Sequence, residues 1–257
     1  MKKKVLIAVS IVIAAAAVIC AVIGIREYLL QKNAGNEYEE IREEVGTGQP
    51  EPEPEPEPEA PAVEIPIDFA SLQARNPDVY AWITVPGTQV DYPILQSASD
   101  NGYYLDHTID GEEKPEGSIF TENYNSKDFE DPNTVIYGHN MKNGSMFRTL
   151  HDYMDRAFFD NNKDVIIYTP DAIRHYRIFA AYLYDNRHIL ESYDYFQDPA
   201  VFQGYLNEVL TQRDMNAFID TQTAVGADDK IITLSTCYGT QHNVRYLVQA
   251  VLVSIEK

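Results

Sequence analysis

The sequence predicts a mainly β domain, either a closed barrel or a sandwich, over residues 63–257. About eight short strand-like runs alternate with turn signals there, while only three stretches have helical spacing. Many short strands with few helices are typical of barrels and sandwiches. The segment is also long enough to bury one hydrophobic core.

The N-terminus predicts a membrane anchor. A basic tail over residues 1–4 precedes an uncharged, largely apolar run over residues 5–25, which ends at Arg26. At about 1.5 Å per residue, a helix of this length crosses the roughly 30 Å hydrocarbon core. The lysines favour a cytoplasmic tail, so we expect a single-pass protein of the cell membrane whose remaining residues lie outside.

Two alternatives to an uncleaved anchor are a cleaved signal peptide and a lipoprotein acylated at Cys20. The apolar run is longer than the roughly 7–15 residues usual in signal peptides, and no small-residue cleavage site follows it. Val18 and Ile19 stand where a lipoprotein would have a small residue. The uncleaved anchor is therefore preferred.

Residues 26–62 predict an acidic, extended linker. From residue 49 to residue 61 the chain is nearly pure Glu-Pro repeat, which prevents helix and sheet hydrogen bonding. At about 3.1 Å per residue, this repeat reaches on the order of 40 Å. It could hold the domain away from the bilayer, or serve solubility alone. The net charge of −20, without a clustered basic face, argues against nucleic acid as a partner.

The domain begins with a predicted helix over residues 67–74, which stops before Pro77 because a residue preceding proline avoids helical angles. Strands at 81–85 and 90–95 flank Pro86-Gly87 and predict a hairpin. Further predicted strands span residues 118–121, 134–138, 165–169, 174–184, 230–236 and 244–255.

A second hairpin is predicted at residues 169–173, which connect two of these strands. Helices are predicted over residues 146–159 and 199–212 from their apolar spacing. The last of them has Asp198 as its expected N-cap and Pro199 at its first position.

Cys237 is the best candidate for a nucleophile, because it follows the apolar strand 230–236. The other cysteine of the chain, Cys20, lies in the predicted anchor, so a disulfide between them is implausible. Outside the membrane, structural cysteines are normally paired. An unpaired one is either a reactive thiol or a buried small hydrophobe.

His139 and Arg245 are expected to accompany this thiol. His139 emerges where strand 134–138 ends, which makes it the best acid or base candidate. Arg245 opens the last strand, and pairing with strand 230–236 through a loop at residues 238–243 would bring it close to Cys237. A guanidinium there could stabilise a thiolate or an oxyanion.

Five other histidines compete with His139 for the acid or base role. His107, His151 and His175 fit as solvated or capping imidazoles, whereas His242 is close enough to Cys237 in sequence to approach the thiol. No pair has zinc-site spacing. The five are His107, His151, His175, His188 and His242.

These residues resemble the motifs of the sortase family. One strand ends in Leu-Ser-Thr-Cys at Cys237 with Thr233 before it, another ends in Tyr-Gly-His-Asn at His139, and Arg245 opens the last. The run 233–237, the Gly-Ser-Met-Phe run at 144–147 and a long helix between the sixth and seventh strands resemble class B. The resemblance covers about residues 65–257.

The resemblance implies a closed eight-stranded barrel with an N-terminal helix, preceded by a single transmembrane helix. It also implies a membrane-anchored cysteine transpeptidase of Gram-positive bacteria. Such an enzyme cleaves a C-terminal sorting signal of a secreted protein after Thr through a thioacyl intermediate. It then passes the acyl group to an amine of a cell-wall peptidoglycan precursor.

For individual residues, the resemblance implies that Cys237 is the nucleophile and His139 the general acid and base. Arg245, with the backbone N–H of Tyr238, would hold the oxyanion. Asn101, Leu105 and Ser235 resemble contacts to the sorting signal, although a helix cap, a core leucine and a strand serine would explain them as well.

No cofactor and no metal are expected, because class B sortases do not usually carry the calcium site of some relatives. Acidic side chains that such a site would use do occur, at Glu112, Glu113, Glu116 and Asp128. Two other functions remain open from the residues alone. One is a thiol protease or other hydrolase, and the other is a non-catalytic surface-binding module with a buried cysteine.

Overall fold

A computed structural model describes residues 63–239 and 241–257, together with Ile25, Arg26 and Leu29. The predicted tail, the rest of the anchor and linker, and the side chain of His242 lie outside the described residues. Within the described part of the chain, no helix is both long and apolar enough to cross a membrane.

The described residues form one sheet of nine strands, eight of which close into a barrel. In chain order the strands are β1 (Val79–Thr84), β2 (Asp91–Leu95), β3 (Ile119–Thr121), β4 (Asn133–Tyr137), β5 (Asp164–Thr169), β6 (Ala172–Asp185), β7 (Phe218–Ile219), β8 (Ile231–Tyr238) and β9 (Gln241–Glu256).

Closure of the barrel depends on β5, which pairs antiparallel with both β1 and β6. Around the ring, the order is β5, β1, β2, β3, β4, β8, β9 and β6, while β7 adds only to the edge of β6. The β2–β3 and β4–β8 pairs are parallel, and the others are antiparallel. The predicted closed eight-stranded barrel is confirmed, and the sandwich alternative is wrong.

The predicted hairpins are both present, with one correction. β1 and β2 pair around Pro86-Gly87 as expected, with Gly87 at a left-handed φ of 85°. The second hairpin has a shorter turn than the five residues predicted, because Thr169 pairs with Ala172 and leaves only Pro170 and Asp171 between β5 and β6. The two-residue strand β7 carries too short a pattern to be predicted.

Four α-helices occur among the described residues from residue 63 onward: α1 (Phe69–Arg75), α2 (Arg156–Asn161), α3 (Ile189–Ser192) and α4 (Pro199–Leu210). The predicted first and last helices are confirmed. α1 is capped by the Asp68 carboxylate, which accepts from Ser71 N at 3.0 Å. α4 begins at Pro199, and the Asp198 side chain accepts from Ala200 N at 2.8 Å. The short helix α3 was not predicted.

The predicted single helix over residues 146–159 is wrong. The chain forms a 3-10 helix over Arg148–Met154 and then α2, with Asp155 between them in an extended conformation. The Asp155 carboxylate accepts from Phe158 N at 2.8 Å, so it caps a new helix. Buried apolar residues occur on both sides of this break, with Leu150 before it and Phe159 after it, so the apolar pattern of the sequence does not reveal the break. Aspartate favours helix starts over helix interiors, which explains the interruption.

The long helix α4 covers the outside of the barrel between the sixth and seventh barrel strands, β6 and β8. Its buried residues Phe202, Tyr205 and Leu206 share a second core cluster with Leu247 of β9. A buried polar contact adds specificity there: Gln249 Nε2 donates to the Tyr205 hydroxyl oxygen at 2.5 Å and to Thr233 Oγ1 at 2.8 Å. Helix α4 is therefore connected through Gln249 to β8, which carries Cys237 near its end, and to β9, which carries Arg245 near its start.

Gly138, directly after β4, lies where no side chain fits. A Cβ atom at this position would be 2.5 Å from Ile119 Cδ1 and 2.7 Å from Phe147 Cγ, both closer than real Cβ contacts. Ile119 and Phe147 are completely buried, so neither can move aside easily. The absence of a side chain lets β4 run close to β3 just before His139.

We expect Gly138→Ala to lower the free energy of unfolding by about 1–3 kcal/mol, because it overpacks this contact. Gly204→Ala in α4 is the matched control, since a methyl group at this position would meet nothing within 4 Å. Helix propensity predicts that this change is neutral or stabilises by up to about 1 kcal/mol. Urea unfolding of both variants would test this, and equal stabilities of Gly138→Ala and the wild type would contradict the packing.

Candidate active site

The ends of β4 and β8 bring the predicted imidazole and thiol to one rim of the barrel. The two strands are parallel, with Tyr137 opposite Ser235. Pairing continues beyond β4, because Gly138 N donates to Ser235 O at 3.1 Å. His139 and Cys237 each follow two residues later, so they lie level with each other on the same face. Both side chains line one cleft.

Arg245 reaches the same thiol from β9. Cys237 and Arg245 are direct partners in the antiparallel β8–β9 ladder, and Arg245 Nη1 lies 3.6 Å from Cys237 Sγ. The predicted proximity is confirmed, although the predicted loop at 238–243 is wrong. Pairing continues past a bulge to Tyr238 and Gln241, so the strands are longer than expected. A guanidinium at this distance compensates negative charge on the sulfur.

The His139 ring is oriented by a main-chain carbonyl group. Its Nε2 lies 2.6 Å from the carbonyl oxygen of Leu105. A carbonyl oxygen only accepts, so Nε2 must donate, and Nδ1 is the atom that gains or loses the second proton. Among the described residues, neither a carboxylate nor the thiol is hydrogen-bonded to this ring. The site therefore differs from a Ser-His-Asp arrangement, in which a carboxylate orients the histidine.

The cleft beside these three residues has a volume of about 260 Å³. Its walls combine apolar side chains with polar and charged ones, and the rings of Phe120 and Tyr137 stack there at 5.4 Å. Such a mixture of apolar surface and polar groups suits a short peptide segment.

The three residues predicted to contact the sorting signal line this cleft: Asn101, Leu105 and Ser235. Leu105 is 52% exposed, so it is not a core leucine. Asn101 does not cap a helix, since its Oδ1 accepts from Asn123 N at 2.7 Å. The Tyr238 side chain is absent from the cleft lining and packs with His151 instead, at a ring distance of 6.1 Å.

A Glu122–His188 pair in the cleft wall was not predicted. His188 Nε2 lies 2.5 Å from Glu122 Oε2, and Tyr137 OH donates to the same oxygen at 3.2 Å. The hydrogen bond to the carboxylate raises the pKa of His188. Glu122 follows β3 directly, so the strand-end pattern that singled out His139 could have found it. His188 lies in the β6–α3 connection, whose path the sequence does not indicate.

The remaining described histidines lie away from the thiol or belong to other contacts. His107 stacks on Tyr103 at 4.1 Å, and His175 pairs with Glu256 at 2.8 Å on the surface. His151 lines a separate cavity. The described residues include no group of three or more histidine, cysteine or acidic side chains arranged to hold a metal ion.

A thiol, an imidazole and a guanidinium at strand ends of a closed barrel define a cysteine acyl-transfer site. A sortase domain model matches residues 83–253. The sortase B of Listeria monocytogenes is 37% identical over 180 residues, 68% of each chain. That of Staphylococcus aureus is 31% identical over 169 residues, covering 66% of this chain and 67% of the other.

The solved structure of Clostridium perfringens sortase B superposes with a TM-score of 0.65 at 33% identity, covering 72% of this chain and 99% of that one. The chain belongs to the sortase family. It is a class B sortase, and hence a cysteine transpeptidase.

The Glu122–His188 pair predicts a pH-dependent contribution to stability. Because the pKa of His188 is raised in the folded state, the contribution is complete below the unfolded value near 6.5 and is lost as pH rises through the folded pKa. We expect His188→Gln to cost about 1 kcal/mol at pH 6 and progressively less at higher pH.

Urea unfolding of wild type and His188→Gln across pH 6–9 would measure this difference. His175→Gln is the matched control, because its contact with Glu256 lies on the surface, and we expect little change at any pH. A His188→Gln cost that grows with pH would contradict the assigned pair.

Proposed function

We propose that this enzyme is anchored in the membrane by residues 5–25 and cleaves a C-terminal sorting signal of secreted proteins after Thr. In this proposal, the acyl group passes to an amine of a peptidoglycan precursor outside the cell. The apolar run after three lysines supports the anchor, and membership of class B supports the substrate type. The acidic linker would let the domain reach substrates away from the bilayer surface.

The first half-reaction forms an acyl enzyme. The Cys237 thiolate attacks the Thr carbonyl carbon, a C–S bond forms, and the carbonyl oxygen becomes an oxyanion beside Arg245. Collapse of this intermediate breaks the C–N bond. The His139 imidazolium gives its Nδ1 proton to the departing amine and becomes neutral, so charge and protons balance.

The second half-reaction reverses these roles. The acceptor amine attacks the thioacyl carbon, a C–N bond forms and the C–S bond breaks. Neutral His139 takes the proton that the amine loses, and Cys237 leaves as a thiolate. The enzyme returns to its starting protonation state, and water in place of the amine would give hydrolysis instead.

The observation that carries these roles is the contact between Arg245 Nη1 and Cys237 Sγ in a cleft that also holds His139. Arginine is positively charged at every relevant pH, so it can stabilise both the thiolate and the oxyanion without gaining or losing a proton. The fixed Nε2–H of His139 leaves Nδ1 as the single exchangeable site. Asn101, Leu105 and Ser235 would then contact the sorting signal along the cleft.

Replacing the thiol tests the nucleophile. We expect the full-length Cys237→Ala variant in detergent to lose all turnover of a panel of Thr-containing sorting peptides, because Cys237 is the thiol among the residues that line the cleft. Arg177→Gln is the control, since Arg177 is exposed on β6 away from the cleft. Undiminished turnover by Cys237→Ala would exclude the mechanism.

Replacing the guanidinium tests the oxyanion role. We expect Arg245→Ala to lower kcat/KM by about 10²–10³-fold, as for removal of an oxyanion donor, and Arg245→Lys to recover only part of it. Peptide cleavage measured by chromatography, with and without an added amine, gives these values. An amine adduct identifies transpeptidation, and hydrolysed peptide alone in the presence of amine would indicate a thiol protease.

A further inference from the structure

A second cavity lies on the opposite side of the strand ends that carry His139 and Cys237. Its volume is about 680 Å³, and Asn140, Tyr238 and Gly239 form part of its wall. Successive strand residues point to opposite faces, so the residues after His139 and Cys237 turn away from the cleft. Asn140 Nδ2 donates to the Cys237 carbonyl at 3.1 Å, so one backbone layer separates the two spaces.

Two basic side chains give this cavity a net positive charge, whereas the chain as a whole is negatively charged. Lys142 and Arg148 line it with a single carboxylate, Asp152, whereas the whole chain has 40 acidic and 20 basic residues. Both basic side chains are exposed, and neither has an ion-pair partner among the described residues. They are therefore available to an anionic ligand.

The cavity wall is built around His151. Its Nδ1 lies 3.0 Å from the Arg148 carbonyl oxygen, and its ring stacks with Tyr246 at 5.3 Å and with Tyr238 at 6.1 Å. Burial lowers the pKa of His151, so its ring is uncharged at neutral pH and Nδ1 donates to the carbonyl. The ring thereby connects the segment that carries Arg148 to the residue that follows the nucleophile.

Acyl transfer determines the side from which the acceptor arrives. After the first half-reaction, the acyl half of the sorting signal still occupies the cleft and the departing half has left, so the acceptor amine attacks from the side that the departing amine vacates. Gly239, next to the β8–β9 turn, has open space around it, since a Cβ atom at this position would meet nothing within 4 Å beyond its chain neighbours. Gly239 therefore leaves room for a ligand at the wall of the second cavity, two residues after Cys237.

We propose that this second cavity binds the acceptor, and that Lys142 and Arg148 select amines that carry an anionic group a few bonds away. This inference rests on the proposed transpeptidation and names its second substrate class. The anionic group interacts with the two cations, while the amine reaches past Gly239, attacks the thioacyl carbon and displaces the Cys237 thiolate.

Matched acceptors test the charge preference. Triglycine and triglycinamide present the same attacking amine with and without a carboxylate, and O-phosphoethanolamine and ethanolamine do so for a phosphate. With the full-length enzyme and a peptide that it cleaves, we expect the ratio of adduct to hydrolysed peptide to be about 5-fold higher for the anionic member of at least one pair.

The single variants Arg148→Gln and Lys142→Gln should each lower the preference for the anionic acceptor to about 2-fold or less, whereas Arg177→Gln should leave it unchanged. The pair that shows the preference distinguishes a carboxylate from a phosphate. Equal adduct ratios within both pairs for the wild type, or a preference that survives in the Arg148→Gln and Lys142→Gln double variant, would overturn the proposal.

A binding measurement separates this proposal from the catalytic one, because it requires no turnover. In the full-length Cys237→Ala protein, triglycine should shift the backbone amide NMR signals of Lys142 and Gly239 more than triglycinamide does. Arg148→Gln in the same background should abolish the difference. Shifts confined to Gly102 and Ser235 would place the acceptor in the first cleft and overturn the proposal even if the enzyme is a transpeptidase.

Discussion

The parallel pairing of β4 with β8 is the constraint on which the site depends. It sets the Tyr137–Ser235 register, and two residues further on it brings His139 level with Cys237. A slip of one residue would turn Cys237 toward the opposite face, because side chains alternate along a strand. The neighbouring strands β3 and β9 hold this pair from both sides, and closure of the barrel leaves neither strand at an edge.

The same geometry divides the two halves of the reaction between two spaces. The cleft holds the thiol, the imidazole and the guanidinium, while the residues immediately after His139 and Cys237 line the second cavity. Leu105 connects the cleft to the imidazole, since its exposed side chain lines the cleft and its carbonyl orients His139. Displacement of this segment would therefore change both peptide binding and the position of the ring.

Much of this arrangement was predictable from the sequence because it depends on local patterns. Strand ends marked by Cys237 and His139, the capped start of α4 and the Pro86-Gly87 turn are all readable from a few residues. The Arg245 contact required only that consecutive strands pair. The break at Asp155 was missed because the apolar spacing continues through it, whereas the capping side chain overrides that spacing.

The contacts that the sequence did not indicate are those between distant segments. Glu122 and His188 are 66 residues apart, and their meeting depends on the course of an irregular connection. The Leu105 carbonyl is a main-chain group, so the residue type gives no sign that it would orient a histidine.

The central claim is that Cys237 carries the acyl group between the two half-reactions. Acid quenching of the full-length wild-type enzyme during turnover of a Thr-containing sorting peptide, followed by mass spectrometry of its proteolytic fragments, measures this directly. We predict an acyl group that ends in Thr, attached to Cys237 and depleted when an acceptor amine is added. Product formation with Cys237 unmodified at every time point would contradict the account.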